Sequence, residues 1–129
     1  MSFVTFNYDL ALDQVLFCKN LSFGYCLSAR DPRPTYPLLK LHGSINWGRC
    51  QKCKDIVPYQ FNQLSFRSLD GVQHVRYDLG SRIRIGKLTH CEKPVHDTPV
   101  LVPPTWGKAS DQREIARVWK RAAQELSLA

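Results

Sequence analysis

No apolar stretch in this chain approaches the roughly 20 residues that a helix needs to cross a bilayer. The N-terminus, Met1-Ser2-Phe3-Val4, has no basic segment followed by a long apolar core, so no secretory leader is expected. Cysteine is present but odd in number: Cys18, Cys26, Cys50, Cys53 and Cys91 make five. An odd count without a leader argues against a secreted disulfide framework and for reduced thiols in a cytoplasmic protein. Tight Lys/Arg runs are missing too, although the formal net charge is +7. The excess reads first as a solvated basic surface, and neither a membrane nor a nucleic acid is the expected partner. Some concentration of basic residues between Arg49 and Lys93 keeps a nucleic-acid-binding alternative open. There is no internal repeat and no low-complexity segment, and 129 residues allow one domain at most.

What is present suggests an α/β protein. Phe3 to Phe6 is a short apolar, β-branched run that predicts a buried strand. Asp9 is placed to cap a helix over about Leu10 to Lys19, with Leu12, Val15 and Leu16 on one face. Leu21 to Tyr25 predicts a second short strand, the proline-rich Ala29 to Pro37 a loop, and Leu38 to Leu41 another buried strand. Strand, helix and strand in this order suggest a βαβ unit of a parallel, Rossmann-like sheet. In such sheets ligands bind beyond the C-terminal ends of the strands. Asn7-Tyr8-Asp9 and His42-Gly43-Ser44 would both emerge there.

From Gly48 to Pro99 the long apolar runs vanish and short alternations appear, such as Gln73 to Tyr77 and Arg82 to Leu88. This segment, 48–99, is expected to be an inserted zinc-ribbon-like β module. Val100-Leu101-Val102 then predicts a strand closed by Pro103-Pro104. The last stretch is the clearest helix. Asp111 and Glu114 suit a capping box, and Ile115, Val118, Trp119, Ala122 and Leu126 form one apolar stripe in which Trp119 is read as core packing.

Two groups of residues could carry chemistry. His42 sits where a strand gives way to a loop, and imidazole exchanges protons near neutral pH. Gly43 beside it permits a sharp turn or a close ligand approach. Cys50-Gln-Lys-Cys53 is a pair with metal-ligand spacing. The next candidates are His90, Cys91 and His96; Cys50, Cys53, Cys91 and His96 are the expected tetrahedral zinc set. A metal would stabilise a module with so little apolar core. The alternative is a relic pair of thiols with no metal; a redox Cys-x-x-Cys is disfavoured, because Asp55-Ile-Val-Pro58 does not look like the helix that such a motif usually opens.

With these pieces placed, the chain resembles the sirtuin-like family, in particular the divergent bacterial branch found in anti-phage defence proteins. Thr5-Phe6-Asn7-Tyr8-Asp9 is similar to the family's Thr-Gln-Asn-Ile-Asp, and Leu41-His42-Gly43-Ser44 to its Leu-His-Gly. The Cys50–Cys53 pair falls where sirtuins begin their zinc module, and Val102-Pro103-Pro104-Thr105-Trp106-Gly107-Lys108 looks like the divergent branch's Pro-Pro-x-x-x-Lys. The resemblance implies an NAD site with Thr5, Asn7, Asp9, Gly43 and Ser44 at the cofactor, His42 as general base and Asn7 placing the attacking group. It implies cleavage of NAD to ADP-ribose and nicotinamide. Val-Pro-Pro-Thr stands where classical deacylases carry Phe-Gly-Glu, which favours hydrolysis over protein deacylation, and Phe6 stands where they carry Gln, which leaves part of the usual polar contact set missing. A non-enzymatic zinc-containing binding module is the remaining alternative. The family's Gly-Ala-Gly loop before Phe3 and its Gly-Tyr-Ser-like turn after Ala129 are absent, so the chain is expected to be the partial domain of a longer enzyme. Homo-oligomer formation through flanking regions is expected on the same basis.

Overall fold

The computed structural model describes residues 1–59, 64–65, 84–85, 88–96, 98–102 and 113–129. In chain order they form β1 (Phe3–Thr5), α1 (Ala11–Cys18), β2 (Phe23–Gly24), β3 (Tyr36–Lys40), β4 (Gly43–Ser44), β5 (Trp47–Arg49), β6 (Ile56–Pro58), β7 (Leu64–Ser65), β8 (Arg84–Ile85), β9 (Thr89–His90), β10 (Lys93–Pro94), β11 (Val100–Leu101) and α2 (Arg113–Ser127). The fold is mixed α/β.

Its centre is a three-stranded parallel sheet in the order β1-β3-β2, with Phe3 opposite Leu38 and Phe23 opposite Tyr36. The central strand β3 carries Leu38 and Leu39, both fully buried, as a strand covered on both faces requires. Each such leucine contributes about 1.5–3 kcal/mol by leaving water. One continuous core joins these leucines to Leu16 of α1, Tyr25 and Leu27 after β2, Trp47, Ile56, Val100 and Val102, and to Ile115, Val118 and Ala122 of α2.

The helices differ from their sequence-based faces. In α1 the buried residues are Leu16 and Asp13, whereas Val15 is 55% exposed. Asp13 turns inward because Lys40 and Tyr25 await its carboxylate there. In α2 the inner stripe is Ile115, Val118 and Ala122, while Leu126 is 66% exposed. Trp119 is 40% exposed, against the expectation of core packing. Its indole N–H donates to the Leu41 carbonyl at 3.0 Å, which holds the ring at the sheet's edge. Asp111 and the Pro103 to Lys108 segment lie outside the described residues, as do most of the alternations between Gln73 and Leu88.

Beyond β3 the strands pair antiparallel. β4 pairs with β11, β5 with β6, β7 with β8, and β9 with β10. The β5–β6 and β9–β10 hairpins lie side by side through a Cys50–Val95 bridge and a His96 N–H to Arg49 carbonyl bond of 2.9 Å. Gly48 makes that approach possible: a Cβ there would lie 2.3 Å from the His96 carbonyl oxygen. Tyr59 and Val95 join Leu10 in a second small core beneath the hairpins.

Candidate functional site

The C-terminal ends of β1 and β3 lie next to each other because the strands are parallel and paired. The Leu41 N–H donates to the Thr5 carbonyl at 2.9 Å, and the Ile45 N–H to the Tyr8 carbonyl at 3.0 Å. The Thr5–Asp9 and Leu41–Ser44 stretches are therefore stitched together at the edge where such sheets bind ligands. Asn7 is exposed and His42 half-buried. Phe6 packs its edge on the His42 ring at a centroid distance of 5.3 Å, and Trp119 lies 6.5 Å from it.

The remaining residues expected at a cofactor have local partners. The Thr5 hydroxyl accepts the Asn7 N–H at 3.0 Å, and the Asp9 carboxylate accepts the Ala11 N–H at 2.9 Å in a turn ahead of α1, whose N-cap is Leu10 rather than the expected Asp9. Gly43 sits at φ 84 with its backbone against β11; a Cβ there would lie 2.1 Å from the Val100 carbonyl oxygen. Here the glycine serves strand packing. Ser44 is fully buried, and its hydroxyl donates to Asn46 Oδ1 at 2.7 Å.

Beneath this edge runs a buried polar network. Lys40 is 1% exposed and its ammonium donates to Asp13 Oδ2 at 2.8 Å and to the Asp9 carbonyl. The Tyr25 hydroxyl donates to Asp13 Oδ1 at 2.5 Å and accepts the Asn46 amide at 2.9 Å. Asn46 also donates to the Tyr59 carbonyl at 3.1 Å. Burial pushes the Lys40 ammonium below its ordinary value, against the opposing pull of Asp13. Burial, with the Asp13 charge, pushes the Tyr25 phenol well above its own. Sequence reading missed Asp13 and Lys40. A lysine inside Leu38-Leu39-Lys40-Leu41 was the available signal, since a buried charge requires a partner.

The second group is a cluster of Cys50, Cys53, His90 and Cys91, whose ligand atoms all lie within 4.8 Å of one another. His90 Nδ1 is 3.4 Å from Cys53 Sγ and 3.3 Å from Cys91 Sγ. A tetrahedral zinc site puts sulfur and nitrogen ligands roughly 3.5 Å apart. Three thiols and an imidazole at this spacing could hold a metal ion such as zinc. His96 does not belong to the set. It lies beyond β10, its side chain is exposed and its N–H pairs with Arg49. His90 takes the place because it ends β9 and stands next to Cys91 in the turn.

Both ligand pairs sit in tight turns that the chain strains to make. The Lys54 N–H closes on the Cys50 carbonyl at 3.1 Å, and the Lys52 N–H points at Cys50 Sγ at 3.4 Å. Lys54 takes φ 65, and Cys91 and Glu92 take 52 and 60 between β9 and β10. A non-glycine residue in that region costs about 1–2 kcal/mol, so these turns need external support.

Cys50 is fully buried. Burial would raise its thiol, yet the N–H groups of Cys53 and Lys52 and the His90 and Cys53 side chains lower it to about 6. Cys53 is pushed the other way. The Asp55 N–H lowers it, but burial, the neighbouring Cys50 and Cys91 and the Asp55 charge together take it to about 11. The two sulfurs are thus pushed in opposite directions, and a metal that binds both would displace the proton the pair retains.

A cleft of about 1130 Å³ opens beside this cluster, with Cys53, His90 and Cys91 on one wall and the loop between β2 and β3 on another. Neither Asn7 nor His42 lines it. No helix among the described residues is long and apolar enough to cross a membrane. A comparison of the chain with family models, with curated proteins and with solved structures returns no match.

Proposed function

We propose that this chain carries the catalytic centre of a sirtuin-like NAD-cleaving enzyme, with a structural zinc ion at Cys50, Cys53, His90 and Cys91. The observation that carries the reading is the stitching of the Thr5–Asp9 stretch to the Leu41–Ser44 stretch, which sets an exposed Asn7 and a half-buried His42 at the C-terminal edge of one parallel sheet. The two motifs of the resemblance are 34 residues apart by the numbering of His42 and Tyr8, and pairing of β1 with β3 makes them neighbours.

The chemistry suits these groups. NAD and water give ADP-ribose, nicotinamide and a proton. The C1′–nitrogen bond breaks with its electron pair leaving on nicotinamide. The Asn7 amide orients the water, and the His42 imidazole takes its proton as oxygen bonds to C1′. Positioning of this kind contributes up to roughly 7 kcal/mol to lowering a barrier. Bound zinc would cross-link the two hairpins and take no part in the bond changes.

The test is nicotinamide release from NAD by the protein with its reading frame extended at both ends, because the chain alone lacks the phosphate-binding loop of the resemblance, with and without an acetylated peptide. Wild type should release nicotinamide without peptide, and His42→Ala and Asn7→Ala should abolish release. Release only with peptide would move the assignment to a deacylase. No release from folded, zinc-loaded protein would end the NAD reading.

A further inference from the structure

The Asn7 loop is held to the sheet at three carbonyls. Backbone N–H groups of Leu41 and Ile45 hold those of Thr5 and Tyr8. The third, that of Asp9, is held by a side chain, the Lys40 ammonium. The Ser44 hydroxyl also faces the Tyr8 carbonyl at 3.4 Å, but it has one proton, and Asn46 Oδ1 at 2.7 Å takes it. Lys40 is thus the side chain that ties the last of these three carbonyls to the sheet.

A lysine in this place is costly. It is 1% exposed and its partner Asp13 is fully buried. Replacing such a pair by apolar residues of similar volume is often neutral or stabilising. Packing alone therefore gives no reason for the pair. Its geometry does: Asp13 is fixed by Tyr25, Tyr25 by Asn46, and Asn46 by the Tyr59 carbonyl. This chain of bonds directs the Lys40 ammonium at one carbonyl, two residues after Asn7.

We propose that Lys40, seated by Asp13, is a positioning residue that fixes the Asn7 loop against His42. The proposal rests on the reading of Asn7 as the group that orients the attacking water. Lys40 touches no reacting atom and acts through the loop it holds.

The experiment compares wild type with the double variant Lys40→Met/Asp13→Leu, which removes both charges and keeps the length of the one side chain and the branched shape of the other. Zinc content and cooperative unfolding first establish that the variant is folded. Its kcat for nicotinamide release should fall on the order of a hundredfold, with KM for NAD within about twofold, since the interaction lost is made in the transition state. Amide exchange gives a readout independent of activity. The Ala11 and Ile45 amides should lose about tenfold or more in protection, while Leu39 in the central strand keeps its own. Wild-type exchange at Ala11 and Ile45 in the folded double variant would overturn the proposal whatever the activity. If wild type releases no nicotinamide but the variant loses this protection, the NAD reading falls and the clamp stands. Should the double variant fail to fold, the wild-type protein decides by nitrogen NMR. Slowly exchanging Lys40 ammonium protons with contacts to Asp9 support the clamp, and rapidly exchanging ones overturn it.

Discussion

The fourth metal ligand can be identified by removing each histidine in turn. His90 Nδ1 lies 3.4 and 3.3 Å from the sulfurs of Cys53 and Cys91, whereas the His96 side chain is exposed outside the cluster. Structural zinc in small peptides is worth roughly 10–16 kcal/mol near neutral pH. Shared over four ligands, one ligand is worth about 3 kcal/mol, or roughly two orders of magnitude in affinity. His90→Ala should therefore weaken zinc binding on the order of a hundredfold, and His96→Ala should leave it within about twofold. A competition titration against a chromophoric chelator reads both values. The loss should be accompanied by loosening of the bridge from Cys50 to Val95, because the strained turns at Lys54, Cys91 and Glu92 would lose their support. The reverse order, with His96→Ala the weaker binder, would refute this ligand set.

Further outcomes follow from the same geometry. Zinc binding near pH 7 should release the proton that Cys53 holds up to about 11, and affinity should rise with pH; calorimetry in buffers of different ionisation enthalpy measures the proton count. The Cys50 thiol of the metal-free protein is lowered to about 6, below its unfolded value, so its contribution to stability is present above the unfolded value and is lost as pH falls through about 6. Thiolate absorbance should titrate near that pH in wild type and not in Cys50→Ser. Lys40→Met alone leaves Asp13 as an uncompensated buried charge and should cost about 3–5 kcal/mol in urea unfolding, whereas Lys40→Met/Asp13→Leu should recover most of that loss. Gly43→Ala must place a Cβ 2.1 Å from the Val100 carbonyl oxygen at φ 84, and should lose at least about 3 kcal/mol in the same assay.

The elements legible in the sequence were those set by local pattern. Leu38 to Leu41 announced the buried strand that runs Tyr36–Lys40, Phe3 to Phe6 its neighbour, which ends at Thr5, and the run from Ile115 to Ala122 a helix face. That the Thr5–Asp9 and Leu41–Ser44 stretches lie side by side followed from parallel pairing. Long-range chemistry was harder to read. Asp13 stands in an ordinary amphipathic helix, and nothing local tells that a lysine and a tyrosine far along the chain will turn it inward. Trp119 fits the helical stripe, yet a bond to the Leu41 carbonyl holds it at the edge. His90 and His96 are equally plausible by spacing. The turn at Cys91 and Glu92 selects His90, and turn geometry of that kind depends on positive φ at residues that seldom adopt it.

The most direct test of the NAD-cleavage reading is turnover in heavy-oxygen water by zinc-loaded protein, wild type against His42→Ala. With the reading frame extended at both ends, nicotinamide should be released without any acyl acceptor, one labelled oxygen should appear at C1′ of the ADP-ribose product, and both should be lost in His42→Ala. Release that survives the loss of His42, or folded extended wild type that leaves NAD intact, would contradict the reading.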